Sequence, residues 1–86
     1  MNQQKETSQH IIECFGGVGN IKQVQKDITR IKILVDSKAL VKRENLTNDQ
    51  NVIGTIKSNE FIEIVINFEI IDEVYNNIMY MINQKT

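Results

Sequence analysis

The sequence has no proline, no tryptophan, a single cysteine (Cys14) and a single histidine (His10). Without proline, its turns must rest on Gly, Asn and Asp. One cysteine excludes an internal disulfide. One His and one Cys cannot make a structural zinc site of the usual Cys/His kind within one chain. An excess of charge is lacking too: Lys and Arg number 10, Asp and Glu 11, and the net charge is -1. That balance gives no electrostatic reason to expect nucleic acid or an anionic membrane as partner. No apolar run approaches the roughly 20 residues that cross a bilayer, so direct membrane insertion is not expected. The opening MNQQKETSQ is polar and lacks the apolar centre of a signal peptide. A cytoplasmic location follows as the expectation, for a free-standing protein or for a domain of a longer membrane protein.

What remains is a chain of 86 residues, 41% of them hydrophobic. That is enough for one domain over residues 1–86 with a thin core. Residues 1–6 read as a frayed lead-in, with an ordered core over about 8–83. Thr7 or Ser8 can cap a first helix. Ile11, Ile12, Cys14 and Phe15 supply its apolar residues, and Gly16-Gly17 stops it. With those neighbours Cys14 reads as a small buried thiol rather than a nucleophile. His10 reads as a surface or boundary residue.

Two strands follow, over 21–25 and 29–35. The second alternates: Thr29, Ile31, Ile33 and Val35 point one way, and Arg30, Lys32 and Leu34 the other. The side-chain period of a strand is two, so one face can enter a core while both cations stay on the opposite face. Lys26, Asp27, Thr29, Arg30 and Lys32 crowd this turn, a composition suited to a small anionic group and equally to a solvated strand. Residues 38–48 give one short helix, or a loop with a helical turn. A third strand spans 52–57, a turn falls at Ser58-Asn59, and a fourth strand spans 61–66. In that strand Ile62, Ile64 and Ile66 share one face, with Glu63 on the other. Asn67 can cap a last helix, with Glu69, Asp72 and Glu73 near its positive end and Lys85 near its negative end. Ile71, Val74, Tyr75, Ile78 and Ile82 form its core stripe, widened by Met79, Tyr80 and Met81. The order is α-β-β-α-β-β-α. It predicts an α+β fold: a four-stranded antiparallel sheet of two hairpins with helices packed on one face.

Three stretches together resemble one family: IIECFGGVGNI (residues 11–21), TRIK (29–32) and IVINFEIIDEVYNNI (64–78). The family is the enzyme IIB domain of the bacterial sugar phosphotransferase system, in its glucose, N-acetylglucosamine and sucrose branch. The resemblance covers roughly residues 8 to 80. Its pattern is a helix ending in Gly-Gly, an Asn-Ile, a hairpin reading Cys-x-Thr-Arg-Leu-Arg, then an apolar strand and a helix with Glu-Val-Tyr. The resemblance implies a phosphorelay. The hairpin cysteine accepts a phosphoryl group from a IIA phosphocarrier and passes it to a sugar held by a IIC membrane permease domain, at the inner face of the membrane. A thiolate suits this step because it is nucleophilic near neutral pH and neighbouring cations favour it. No cofactor or metal is implied.

Carried over residue by residue, Thr29, Arg30 and Lys32 match the phosphoryl-binding positions, with Lys26 beside them. The position of the nucleophilic cysteine is Asp27. Lys32 replaces an arginine and so lacks the bidentate fork. Phe68 replaces a proline, and the segment before the third strand is rich in Asn and Asp. Three readings of Asp27 follow. A carboxylate can stand for the phosphocysteine, held by Arg30 and Lys32, in a catalytically impaired or regulatory domain that still binds a IIA, IIC or regulatory partner. It can be a true acceptor, forming an aspartyl phosphate. Or it is a turn residue on the same fold, used as an interaction or small-ligand-sensing module outside that system.

Overall fold

The computed structural model describes residues 3–84. The elements are α1 (Gln3–Cys14), β1 (Ile21–Lys26), β2 (Arg30–Val35), α2 (Arg43–Leu46), β3 (Val52–Ser58), β4 (Phe61–Ile66) and α3 (Ile71–Asn83). Short 3-10 turns lie at Val18–Asn20 and Lys38–Leu40. All strand pairs are antiparallel and the sheet order is β1-β2-β4-β3. The expected order of elements and fold class are therefore observed, with β1 and β3 as the sheet edges.

Alternation builds the core. Ile31, Ile33 and Val35 of β2 and Ile62, Ile64 and Ile66 of β4 are buried on one face. They meet Ile11, Ile12, Cys14 and Phe15 from α1 and its end, and Ile71, Val74 and Ile78 from α3. Each fully buried isoleucine contributes about 1.5–3 kcal/mol, so this single layer of contacts is the main stabilising term. Tyr75 and Ile82 pack at its border, while Tyr80 is 65% exposed. Gly16 and Gly17 end α1 at φ of 90° and 95°. A Cβ on Gly16 would also lie 2.9 Å from that of Leu40, so glycine is required there on two counts.

Three local expectations are corrected. The first helix starts at Gln3, not at Thr7 or Ser8, and both of these are buried inside it. The Ser8 hydroxyl lies 2.6 Å from the Gln4 carbonyl and 3.2 Å from that of Val74, and Thr7 donates to Asp49 Oδ2 at 2.9 Å. Satisfied in this way, small hydroxyl residues can line a helix-helix contact instead of capping. Asn67 does not cap α3. Its Oδ1 accepts from Glu69 N at 3.0 Å and its carbonyl from Ile70 N at 3.1 Å, so it closes a turn of its own ahead of Ile71. The β3–β4 turn is Asn59–Glu60, because Ser58 pairs with Phe61; Asn59 takes φ of 48°, which asparagine tolerates. Lys85 and residues 1–2 of the lead-in lie outside the described residues. Among the described residues no helix is long and apolar enough to cross a membrane.

Candidate functional site at the hairpin tip

The tip of the β1–β2 hairpin is Asp27, Ile28 and Thr29, all exposed. Asp27 N donates to Arg30 O at 2.7 Å and closes the turn. The Asp27 carboxylate accepts from Ile28 N at 2.8 Å, a local bond typical of aspartate in turns. The Thr29 carbonyl accepts from Ile66 N at 3.0 Å, which fixes the tip against the end of β4. Ile28, 80% exposed, projects an apolar side chain beside the carboxylate.

The cations of the sequence cluster are shared between two faces. Lys26 lies opposite Ile31, on the helix side, and its Nζ reaches Asp72 Oδ1 in the first turn of α3 at 2.8 Å. The hydrogen bond to Asp72 raises the Lys26 pKa above its ordinary value of 10.5. Arg30 and Lys32 stand on the other face, as the alternation requires. There Arg30 Nη1 pairs with Glu63 Oε1 at 3.1 Å, and Lys32 lies in register between Gln25 and Glu63. Glu63 is only 8% exposed, so it needs a cation, and Arg30 supplies it. Arg30 and Lys32 therefore do not hold the Asp27 carboxylate. Among the described residues no cation is ion-paired with Asp27. Lys26, Asp27 and Thr29 meet at the tip, and Arg30 and Lys32 form the adjoining stripe of the uncovered sheet face.

Cys14 is elsewhere. Its carbonyl accepts from Lys42 N at 2.7 Å, and its buried thiol lies 3.7 Å from His10 Nε2. The same Nε2 is 2.9 Å from the carbonyl oxygen of Asn45 and 3.2 Å from that of Leu46, so it carries the proton and donates. Burial, then the charge of Glu13, pushes the Cys14 thiol above its ordinary pKa of 9.0, the opposite of what a nucleophile needs. Cys14 ends α1, and the six residues of β1 separate the base of the hairpin from its tip.

That base is held by Asn20, which the sequence marks only as a turn residue. Asn20 is 4% exposed. Its Nδ2 donates to Phe15 O at 2.8 Å and Ser37 O at 2.9 Å, and its Oδ1 accepts from Ser37 N at 2.8 Å. One amide thus joins the end of α1, the start of β1 and the chain leaving β2. The only signal for it in the sequence is its place after Gly-Gly, within the Asn-Ile of the family pattern.

No family model matches the chain. A protein of Borreliella burgdorferi named "Putative phosphotransferase enzyme IIB component" is 64% identical over 80 residues, 93% of this chain and 87% of that one. The "PTS system MurNAc-GlcNAc-specific EIIBC component" of Staphylococcus haemolyticus is 27% identical over 74 residues, 86% of this chain but 15% of that longer protein. Among solved structures, one domain of the phosphotransferase-system IIabc component of Clostridium difficile superposes with a TM-score of 0.82. It covers 94% of this chain and 86% of that domain at 19% identity, which speaks for the fold. The 64% identity over nearly the full length of both chains decides the relationship: this chain belongs to the enzyme IIB components of the phosphotransferase system.

Proposed function

We propose that this chain is a IIB-type component of a sugar phosphotransferase system that binds its partners without passing a phosphoryl group. Asp27 occupies the position of the family's phosphorylated cysteine. The observation that carries this reading is the state of the tip: an exposed carboxylate bonded to its own turn, with the chain's one thiol buried at the end of α1. A thiolate relay has no nucleophile there. A carboxylate carries -1, where a phosphoryl group carries about -1.5 to -2, so Asp27 presents part of the charge of the phosphorylated state. The uncovered stripe of Arg30 and Lys32 beside it is the surface offered to a IIA phosphocarrier. A IIC permease domain, or a regulatory protein, is the other partner, at the cytoplasmic face of the membrane.

An aspartyl-phosphate relay is the second reading. Acceptor aspartates commonly work with Mg²⁺ held by neighbouring acids. The residues flanking Asp27 in the turn are Lys26, Ile28 and Thr29, and the acid that Lys26 reaches, Asp72, is engaged by it. The surroundings therefore favour the binding reading. Its test is affinity for a IIA protein, by calorimetry, with Arg30→Ala/Lys32→Ala. Loss of two rim cations should weaken binding by roughly tenfold or more, and more so at low salt. Unchanged affinity, with the circular dichroism of the fold retained, would remove this surface from the account.

A further inference from the structure

The tip carboxylate and the arginine across the turn from it do not pair, and the strand register shows where that arginine goes instead. Lys26 lies opposite Ile31. Continued by one position, the same register sets Asp27 opposite Arg30, and the bond from Asp27 N to Arg30 O at 2.7 Å joins the two. Opposite positions of an antiparallel pair share a face, with Cβ atoms about 4.5–5.5 Å apart, and opposite charges there attract. Arg30 Nη1 nevertheless lies 3.1 Å from Glu63 Oε1, across the β2–β4 ladder. The residue of β4 opposite Arg30 is Val65, and Glu63 stands opposite Lys32. The guanidinium therefore reaches along a diagonal to one acid and leaves the acid in register with it.

Burial decides between the two carboxylates. Glu63 is buried, with Lys32 in register on one side and Ile56 on the other. Asp27 is exposed, and its carboxylate accepts from Ile28 N at 2.8 Å. A charge cut off from water costs far more unpaired than one that keeps its hydration. No other cation settles the matter. Lys26, on the helix side, is held by Asp72, and among the described residues Lys32 is in no ion pair. We propose that Glu63 is a positioning residue for the tip: by claiming Arg30 it fixes the guanidinium on the sheet face and leaves Asp27 an uncompensated negative charge at the end of the hairpin. A partner then meets the tip as an anion rather than as an ion pair, with Lys32 as the unpaired cation of the adjoining stripe. That use rests on the partner-binding reading, whereas the arrangement of charge stands without it. A phosphoryl group at position 27, with about -1.5 to -2 charge, would compete for Arg30 more strongly than the carboxylate does.

The test places a chemical reporter at the tip. Asp27→Cys introduces a thiol whose rate of reaction with iodoacetamide follows its thiolate fraction, and a cation alongside raises that fraction. The rate is read at pH 7 and constant ionic strength, by mass spectrometry on the peptide that carries position 27, so Cys14 does not enter. Circular dichroism checks the fold of each variant. In the Asp27→Cys chain, Arg30→Ala should leave the rate within about twofold, because Arg30 is already engaged elsewhere. Glu63→Gln should raise it about threefold by releasing Arg30 to the tip, and Arg30→Ala added to Glu63→Gln should remove most of that rise. A severalfold fall with Arg30→Ala alone would overturn the proposal, since Arg30 would already serve the tip. So would an unchanged rate in a folded Glu63→Gln, or a rise that survives Arg30→Ala in full and so belongs to the lost charge of Glu63 itself. No partner takes part in these measurements, so their failure is distinct from a failure to bind a IIA protein.

Discussion

At its base, the β1–β2 hairpin is tied by a buried asparagine: three side-chain hydrogen bonds from Asn20, with Asp36 N donating to its carbonyl at 2.9 Å. At its tip, the same hairpin carries Asp27, whose carboxylate bonds only its neighbour's amide, and Ile28, 80% exposed. The base has polar groups that cannot be removed without leaving buried partners unsatisfied. The tip has side chains, those of Asp27 and Ile28, that the core does not use. The backbone is held at both ends, and at the tip it displays exposed side chains without structural duty, where function is expected because structure makes no demand on them.

The contrast gives its strongest prediction at the base. Asn20→Ala strands two carbonyls and an N–H and should cost about 3 kcal/mol in urea unfolding, whereas Asp27→Ala should stay within about 0.5 kcal/mol. Similar losses from the two would erase the distinction. Thiol chemistry reads the same contrast by rate. In the folded protein Cys14 should react with iodoacetamide at least about a hundredfold more slowly than the new thiol of Asp27→Cys, and catch up only in denaturant. A fast native Cys14 would show that the base opens.

Smaller effects come from the cations around the tip. Arg30→Ala leaves Glu63 buried without its partner and should cost roughly 1–2 kcal/mol, reduced because Arg30 is partly solvated. Glu63→Gln in that background should recover part of the loss. The smallest effect belongs to Lys26. Its pKa is raised in the folded state, so the proton is held more tightly there than in the unfolded chain. The contribution is therefore fully present below the ordinary value of 10.5 and fades as pH rises through the folded pKa. A stability difference between the natural chain and Asp72→Asn that is small at neutral pH and vanishes above that range is the expected result. A difference that grew with pH would contradict the ion pair.

Period and punctuation made most of the fold legible. The isoleucines of β2 and β4 alternate without interruption, and Gly16-Gly17 can end only a helix that precedes them. The start of α1 was not legible, because Thr7 and Ser8 have two uses. A hydroxyl residue before an apolar run reads as a cap, and only the packing of α1 against α3 and the Asp49 loop shows that these two are buried. Asn67 misleads for a related reason, since an Asx turn and an N-cap draw on the same side-chain oxygen. At the site, alternation put Arg30 and Lys32 on one face, but not the partner that claims Arg30. Glu63 lies 33 residues away in sequence, and its pairing depends on the β2–β4 register. The role of Asn20 is not legible in the sequence, because an asparagine after glycines has the signature of any turn residue, and only the packing brings together the three segments that its amide joins.

The central claim is that the tip is an intact relay position whose nucleophile has been replaced. It is tested most directly by phosphotransfer from labelled phosphoenolpyruvate through enzyme I, the carrier protein and a IIA partner, with a cysteine-bearing IIB protein as control. The account predicts label on Asp27→Cys and none on the natural chain. Base-labile, hydroxylamine-sensitive label on the natural chain, lost in Asp27→Asn, would contradict it and make Asp27 the phosphoryl acceptor.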